Sequence, residues 1–192
     1  MLNVEVAKDV APDFATAVES LVGFVERANV HVAQIESPAG LAKHAIAFSA
    51  HVIDANAPEQ TGENANQGTG RLVLLWDEPG QENWFGNFRV ICFIKSALEF
   101  EIGADASSSE IAWDWLTDAL RTRVASYAAP AGTVTRVLSV GFGALETQDH
   151  HAQIEMRASW SLKTSDFLPH FEAWLDAVLL FGGQANEHLA RI

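Results

Sequence analysis

Cysteine is almost absent: Cys92 is the only one among 192 residues. That excludes an intrachain disulfide framework and a cysteine-based zinc module. Basic residues are scarce too, 12 Lys and Arg against 25 Asp and Glu, for a net charge of −13. Such a chain does not coat nucleic acid with its whole surface, because phosphate contacts need clustered cations. The same deficit argues against an anionic membrane surface. Long hydrophobic runs are missing. Stretches such as Val178 to Phe181 fall far below the ~20 residues needed to span a bilayer. Met1 to Val10 alternates apolar and charged residues (Val4, Glu5, Val6, Ala7, Lys8, Asp9), unlike the basic start and apolar core of a signal peptide. The expectation is a soluble cytoplasmic protein, with neither nucleic acid nor membrane as a partner.

What is present is ordinary globular material, 48% hydrophobic and 19% charged. This excludes a disordered chain, a collagen-like repeat and a coiled-coil rod. The length suits one domain over 1–192, burying ~70% of its unfolded surface.

Pro12 to Ala28 carries Phe14, Val18, Leu21, Val22 and Val25 at helical spacing, and Pro12 fits a first-turn position. His31 to Glu36 and His44 to Ile53 alternate as strands, the second with Ile46, Phe48, Ala50 and Val52 on one face. Asp54 to Gly70 is rich in Asn, Gln, Gly and Glu and predicts a mobile hairpin excursion. Arg71 to Trp76 and Phe88 to Lys95 are apolar on both faces, hence central strands, separated by the turn Asp77-Glu78-Pro79-Gly80. A second helix follows Ser107-Ser108-Ser109, with its stripe running from Ala112 to Tyr127 and its end at Pro130-Ala131-Gly132. Thr133 to Phe142 and His151 to Leu162 form a hairpin. In the latter, Ile154, Met156, Ala158 and Trp160 alternate with Gln153, Glu155, Arg157 and Ser159. A third helix begins near Ser165-Asp166 and stops at Gly182-Gly183, leaving 184–192 as a tail. The predicted class is α+β: a single antiparallel sheet of about six strands with helices packed on one face, in the order α-β-β-β-β-α-β-β-α. The clean alternation of the last strand leaves the opposite face open.

Seven histidines offer no His-x-x-x-His pair, and His150-His151 reads as a solvated turn beside Asp149; no metal is expected. No nucleophile elbow or phosphate-cradling loop is visible, and Cys92 lies mid-strand as a buried, inert thiol. No cofactor is expected. Arginine carries more information. Arg71, Arg89, Arg136 and Arg157 fall on predicted strands in a chain poor in cations. Arg136 has the parity of Val134, Leu138 and Val140, the apolar side of its strand. These arginines either pair with Glu99, Glu146 or Glu155 or build an anion site; cross-strand pairing is the plainer reading. Trp84 sits in the polar loop Gln81–Asn87 beside Phe85, as a lid on the sheet edge or as a contact hot spot. Trp113 lies off the stripe of its helix and marks a possible second interface.

Several of these landmarks recur in one order: Arg71-Leu72-Val73-Leu74-Leu75, Pro79-Gly80-Gln81, Trp84, Gly86, Phe88-Arg89, Trp113-Asp114-Trp115-Leu116, Gly132-Thr133-Val134-Thr135-Arg136-Val137, Phe142-Gly143 and Arg157-Ala158-Ser159-Trp160. Together they resemble an uncharacterised actinobacterial family, domain of unknown function 3000, over about Pro12 to Phe181. The resemblance implies a one-domain cytoplasmic bacterial protein and supplies no activity, cofactor or catalytic residue. It also brings an association with a 3′–5′ exoribonuclease gene, hence a weaker reading as an RNA-metabolism accessory factor. The order of elements resembles type III secretion chaperone-like domains, which act by binding partners.

The leading expectation is a non-enzymatic binding or adaptor protein, a homodimer or the partner of another protein. Its contact would use the small, polar sheet face of Ala47, Ser49, Thr135, Ser139 and Ser159. The alternative is a binder of a small anion, or an enzyme, whose site is built from Arg89, Arg136, Arg157 and Trp84. It requires a pocket of about 300 Å³ or more with convergent polar groups.

Overall fold

The computed structural model describes residues 2, 4–5, 9–53, 68–146 and 150–184. A short helix, α1 (Pro12–Glu19), leads through a 3₁₀ turn (Ser20–Gly23) into four strands: β1 (Val30–Ile35), β2 (His44–Val52), β3 (Thr69–Trp76) and β4 (Phe88–Leu98). Two helices follow, α2 (Phe100–Ala104) and α3 (Ser108–Thr122). Then come β5 (Tyr127–Ser139), a 3₁₀ turn (Gly143–Leu145), β6 (His151–Leu162) and α4 (Leu168–Phe181). The six strands form one sheet in the order β1-β2-β3-β4-β6-β5, with every neighbouring pair antiparallel. The α+β class and the single antiparallel sheet hold.

Strand alternation divides the sheet cleanly. Phe48, Leu72, Cys92, Ala158 and Gly132 follow one another across β2–β5, and their face is buried beneath the helices. Helix α4 lies at the centre of that layer. Its Phe171 meets Phe48 edge-on at 5.0 Å and Phe24 at 5.1 Å, while Trp115 of α3 meets Phe181 at 5.7 Å. A helix held between a sheet and other helices must be apolar nearly all round, and α4 is buried on every side. Gly70 permits the contact: a Cβ there would stand 2.5 Å from Val178 Cγ2. The buried charge on α4 is Asp176, held by Arg27 at 2.6 Å and by Arg123 Nε at 2.7 Å. A buried carboxylate requires such compensation. Its hydrogen bonds, with burial opposing, hold the Arg123 guanidinium above its ordinary pKa.

Four expectations are corrected. Helix α1 ends at Glu19, not near Ala28, and Val22 and Val25 are exposed beyond it. Their apolar spacing continued the stripe, but no element among the described residues covers them. Helix α3 ends at Thr122 through a left-handed Val124 (φ 56°), where the Ala125 N–H donates to Leu120 O. The segment Pro130-Ala131-Gly132 therefore does not end a helix. It belongs to β5, where a bulge between Ala128 and Ala131 absorbs it, and Pro130 is tolerated because β5 is an edge strand. Helix α2, a five-residue turn, had no periodic signal of its own. Ser107 stands at the N-cap of α3 without a side-chain cap bond; its hydroxyl donates to Asp105 Oδ1. Of the expected mobile excursion, 54–67 lies outside the described residues, while Thr69 and Gly70 open β3. Asp149 and residues 185–192 of the expected tail also lie outside them.

Candidate anion site on the uncovered sheet face

The other face of the sheet bears no helix among the described residues. Period-2 alternation and the register place Arg89 (opposite Leu75), Ile91 (opposite Val73 and Ser159) and Phe93 (opposite Arg71 and Arg157) on it together. Ala47, Ser49, Thr135 and Ser159 share that face, and Lys95 and Glu155 are neighbours on it at 3.8 Å.

Arg89 is half-buried. Its Nη2 donates to Ser159 Oγ at 2.6 Å, and Nη1 donates to Ser161 Oγ at 3.1 Å and to Ala129 O at 3.2 Å. These partners are neutral. Among the described residues no carboxylate reaches Arg89 or Arg157 within ion-pair distance. Burial lowers the Arg89 pKa from its ordinary value, though a guanidinium remains cationic at any physiological pH. Arg157 is exposed and lies over the Phe93 ring at 5.5 Å. Trp84 is half-buried in the β3–β4 loop. That loop is fastened down at Phe85, whose N–H donates to the same Ser161 hydroxyl. Gln81 anchors it further, donating to Leu41 O at 2.8 Å and to the Asp77 carboxylate.

Arg89, Arg157, Trp84, Gln81, Thr133 and Ser159 thus border one shallow concavity of about 600 Å³, floored by apolar Leu75 and Ile91. Three of the four residues singled out from sequence come together there. Arg136 does not. It pairs with Ile154, on the helix-covered face, and its Nη1 donates to Gly103 O at 2.9 Å and Asp105 O at 2.6 Å. The expectation of buried-side placement holds, but its partners are the carbonyls ending α2 rather than a glutamate. A cation at a helix C-terminus fits this role. Trp113 packs on β5, where a Cβ at Gly132 would stand 2.7 Å from its ring.

The residues missed from sequence are Gln81, Leu41 and Ser161. The usable signal was Ser159 and Ser161 at i and i+2 beside an arginine strand, which puts two hydroxyls on one face. A second concavity of about 630 Å³ adjoins the first through Arg157 and includes His51, Phe93, Lys95 and Glu155. His51 lies 4.8 Å from His31 ring to ring; burial, and then that neighbour, lower its pKa. Among the described residues no group of three His, Cys, Asp or Glu could hold a metal. A concavity of about 660 Å³ along β1 carries Glu5, Glu26 and Glu36, which repel anions. Burial pushes the Cys92 thiol up to about 12. No described helix is long and apolar enough to cross a membrane.

A family described as "Protein of unknown function (DUF3000)" matches residues 10–189. The chain belongs to that family. The match spans the whole sheet and all four helices, so the Arg89–Arg157–Trp84 concavity lies within the DUF3000 region. No curated protein and no solved structure matches the chain.

Proposed function

We propose that this DUF3000 protein is a non-catalytic binding protein whose uncovered sheet face captures an organic anion. The observation that carries the reading is the pair of guanidiniums, Arg89 and Arg157, that share one concavity without a described carboxylate partner. Arg89 is half-buried with neutral partners alone, and a partly desolvated cation gains from a ligand that supplies the counter-charge. The apolar floor and the Trp84 ring favour a ligand with a flat or aliphatic body beside its carboxylate, phosphate or sulfate.

Binding fits the lining better than catalysis does. The polar groups facing the concavity are guanidiniums, hydroxyls and the Gln81 amide, and none of these exchanges a proton readily near neutral pH. A second reading, an adaptor that docks an acidic segment of another protein, is favoured by continuity. The same face continues through Arg157 into the adjoining concavity, where Lys95 stands beside Glu155.

Titration calorimetry with phenyl phosphate and with inorganic phosphate tests the first reading. Phenyl phosphate is expected to bind more tightly than phosphate. Arg157→Gln or Arg89→Gln is expected to weaken it at least tenfold, since a hydrogen bond to a charged group is worth ~1.5–3 kcal/mol. No heat with phenyl phosphate, together with heat from an acidic peptide, would favour the adaptor reading.

A further inference from the structure

The two edges of the sheet are unlike. Edge strand β1 is six residues long and flanked by the chain's own start: the Glu5 N–H donates to Gln34 Oε1 at 2.7 Å and Gln34 Nε2 donates to Glu5 O at 2.9 Å. Edge strand β5 has 13 residues and pairs only with β6 among the described residues. Long open edges are pairing templates, and proteins blunt them with charges, brevity or cover. From Ala131 to Ser139, β5 has no proline, and its one charge, Arg136, is spent on the carbonyls of α2. Leu138 is 46% exposed on this strand and Val137 41%.

We infer that β5 is a self-complementary interface on which a second copy of this chain pairs antiparallel, centred on Thr135. Charge favours a second copy over an unrelated strand. Arg136 is the only charged residue between Tyr127 and Leu145, so two chains of −13 approach along their least repulsive strip. Shape favours that centre. On the helix side of β5 a groove of about 450 Å³ is lined by Glu110, Trp113, Asp114, Gly132 and Val134. Pairing about Thr135 sets Leu138 of each copy opposite Gly132 of the other, against this groove and the Trp113 ring. It also sets Arg136 of each copy opposite Val134, on the side where Glu110 and Asp114 supply negative charge.

The symmetry has a consequence for the anion site. Antiparallel neighbours of identical sequence are related by a two-fold axis perpendicular to the sheet. Both uncovered faces then look the same way, joining two six-stranded sheets into one of twelve. Ala131 and Thr133 belong both to β5 and to the lining of the concavity, so the second copy borders each binding site.

Light scattering at about 100 μM tests the interface. The expected mass is twice 20.8 kDa. Leu138→Lys is expected to halve it with unchanged far-UV circular dichroism, while Val22→Lys, far from β5, leaves it doubled. Thr135→Cys is expected to cross-link to itself through a short bis-maleimide, because directly opposed Cβ atoms lie within ~4.5–5.5 Å. Should Leu138→Lys not fold, the wild type still decides: exchange of the outward amides of residues 131–139 must slow as concentration rises. A monomer at 100 μM, a dimer that survives Leu138→Lys, no Thr135→Cys cross-link, or concentration-independent exchange would each overturn the inference.

Discussion

Trp160 Nε1 donates a hydrogen bond to His170 Nδ1 at 3.0 Å, joining β6 to α4 inside the core. The indole can only donate, so His170 must accept at Nδ1 and carry its proton on Nε2. That Nε2 has no hydrogen-bond partner among the described residues. A second proton would turn the acceptor into a donor facing another donor. Burial accordingly lowers the His170 pKa to about 4 from an ordinary 6.5.

The sign follows by linkage. Below pH 6.5 the unfolded chain takes up a proton that the folded chain refuses until about pH 4. Stability from this group is therefore complete above 6.5 and is lost as pH falls through that window, at ~1.4 kcal/mol per pH unit and about 3 kcal/mol in all. Urea unfolding at pH 7, 5.5 and 4.5 should show the loss. His170→Gln, whose amide oxygen can still accept from Trp160, should be less stable at pH 7 but should lose about one proton's worth less on acidification. Equal acid slopes in both proteins would contradict the assignment.

Asp176, also on α4, predicts an effect of similar size by substitution. Its carboxylate is fully buried and takes bonds from Arg27 Nη1, Arg123 Nε and Arg123 Nη2. These tie α4 to the segment leading into β1 and to the end of α3. Asp176→Asn leaves two guanidiniums facing a neutral amide, at a cost of about 3 kcal/mol. The denaturant midpoint should fall with an unchanged slope, because the surface exposed on unfolding is the same.

Arg136 should separate stability from binding. Arg136→Ala removes two charge-assisted bonds to Gly103 O and Asp105 O and is expected to cost about 1–3 kcal/mol. Phenyl phosphate affinity should be unchanged, since the guanidinium lies on the opposite face from Arg89 and Arg157. Loss of affinity in a folded Arg136→Ala protein would contradict the division of the arginines into one structural and two ligand-facing groups.

These assignments differ in how far the sequence alone disclosed them. Alternation in Gln153–Trp160 was enough to predict a covered and an open face, and parity was enough to put Arg136 on the covered one. Parity could not name its partner: the carbonyls at the end of α2 come from a five-residue helix without periodicity. Val22 and Val25 looked like core because spacing records a stripe, not whether another element arrives to cover it. Pro130 and Gly132 looked like a helix stop because the same residues mark an edge-strand bulge. Trp84 stood out as an aromatic in a polar loop, yet its place beside Arg89 depends on Ser161, which ties loop and guanidinium together across 76 and 72 residues. Contacts of that range leave no local signal.

In the proposed function Arg89, Arg157 and Trp84 act together on one anion. The most direct measurement is a ¹H–¹⁵N spectrum of the arginine Nε and tryptophan Nε1 resonances during titration with phenyl phosphate. Arg89, Arg157 and Trp84 are expected to shift together along one saturable isotherm that weakens with added salt, while Arg136 and Trp160 stay still. No shift at Arg89 and Arg157, or equal shifts at Arg136, would contradict it.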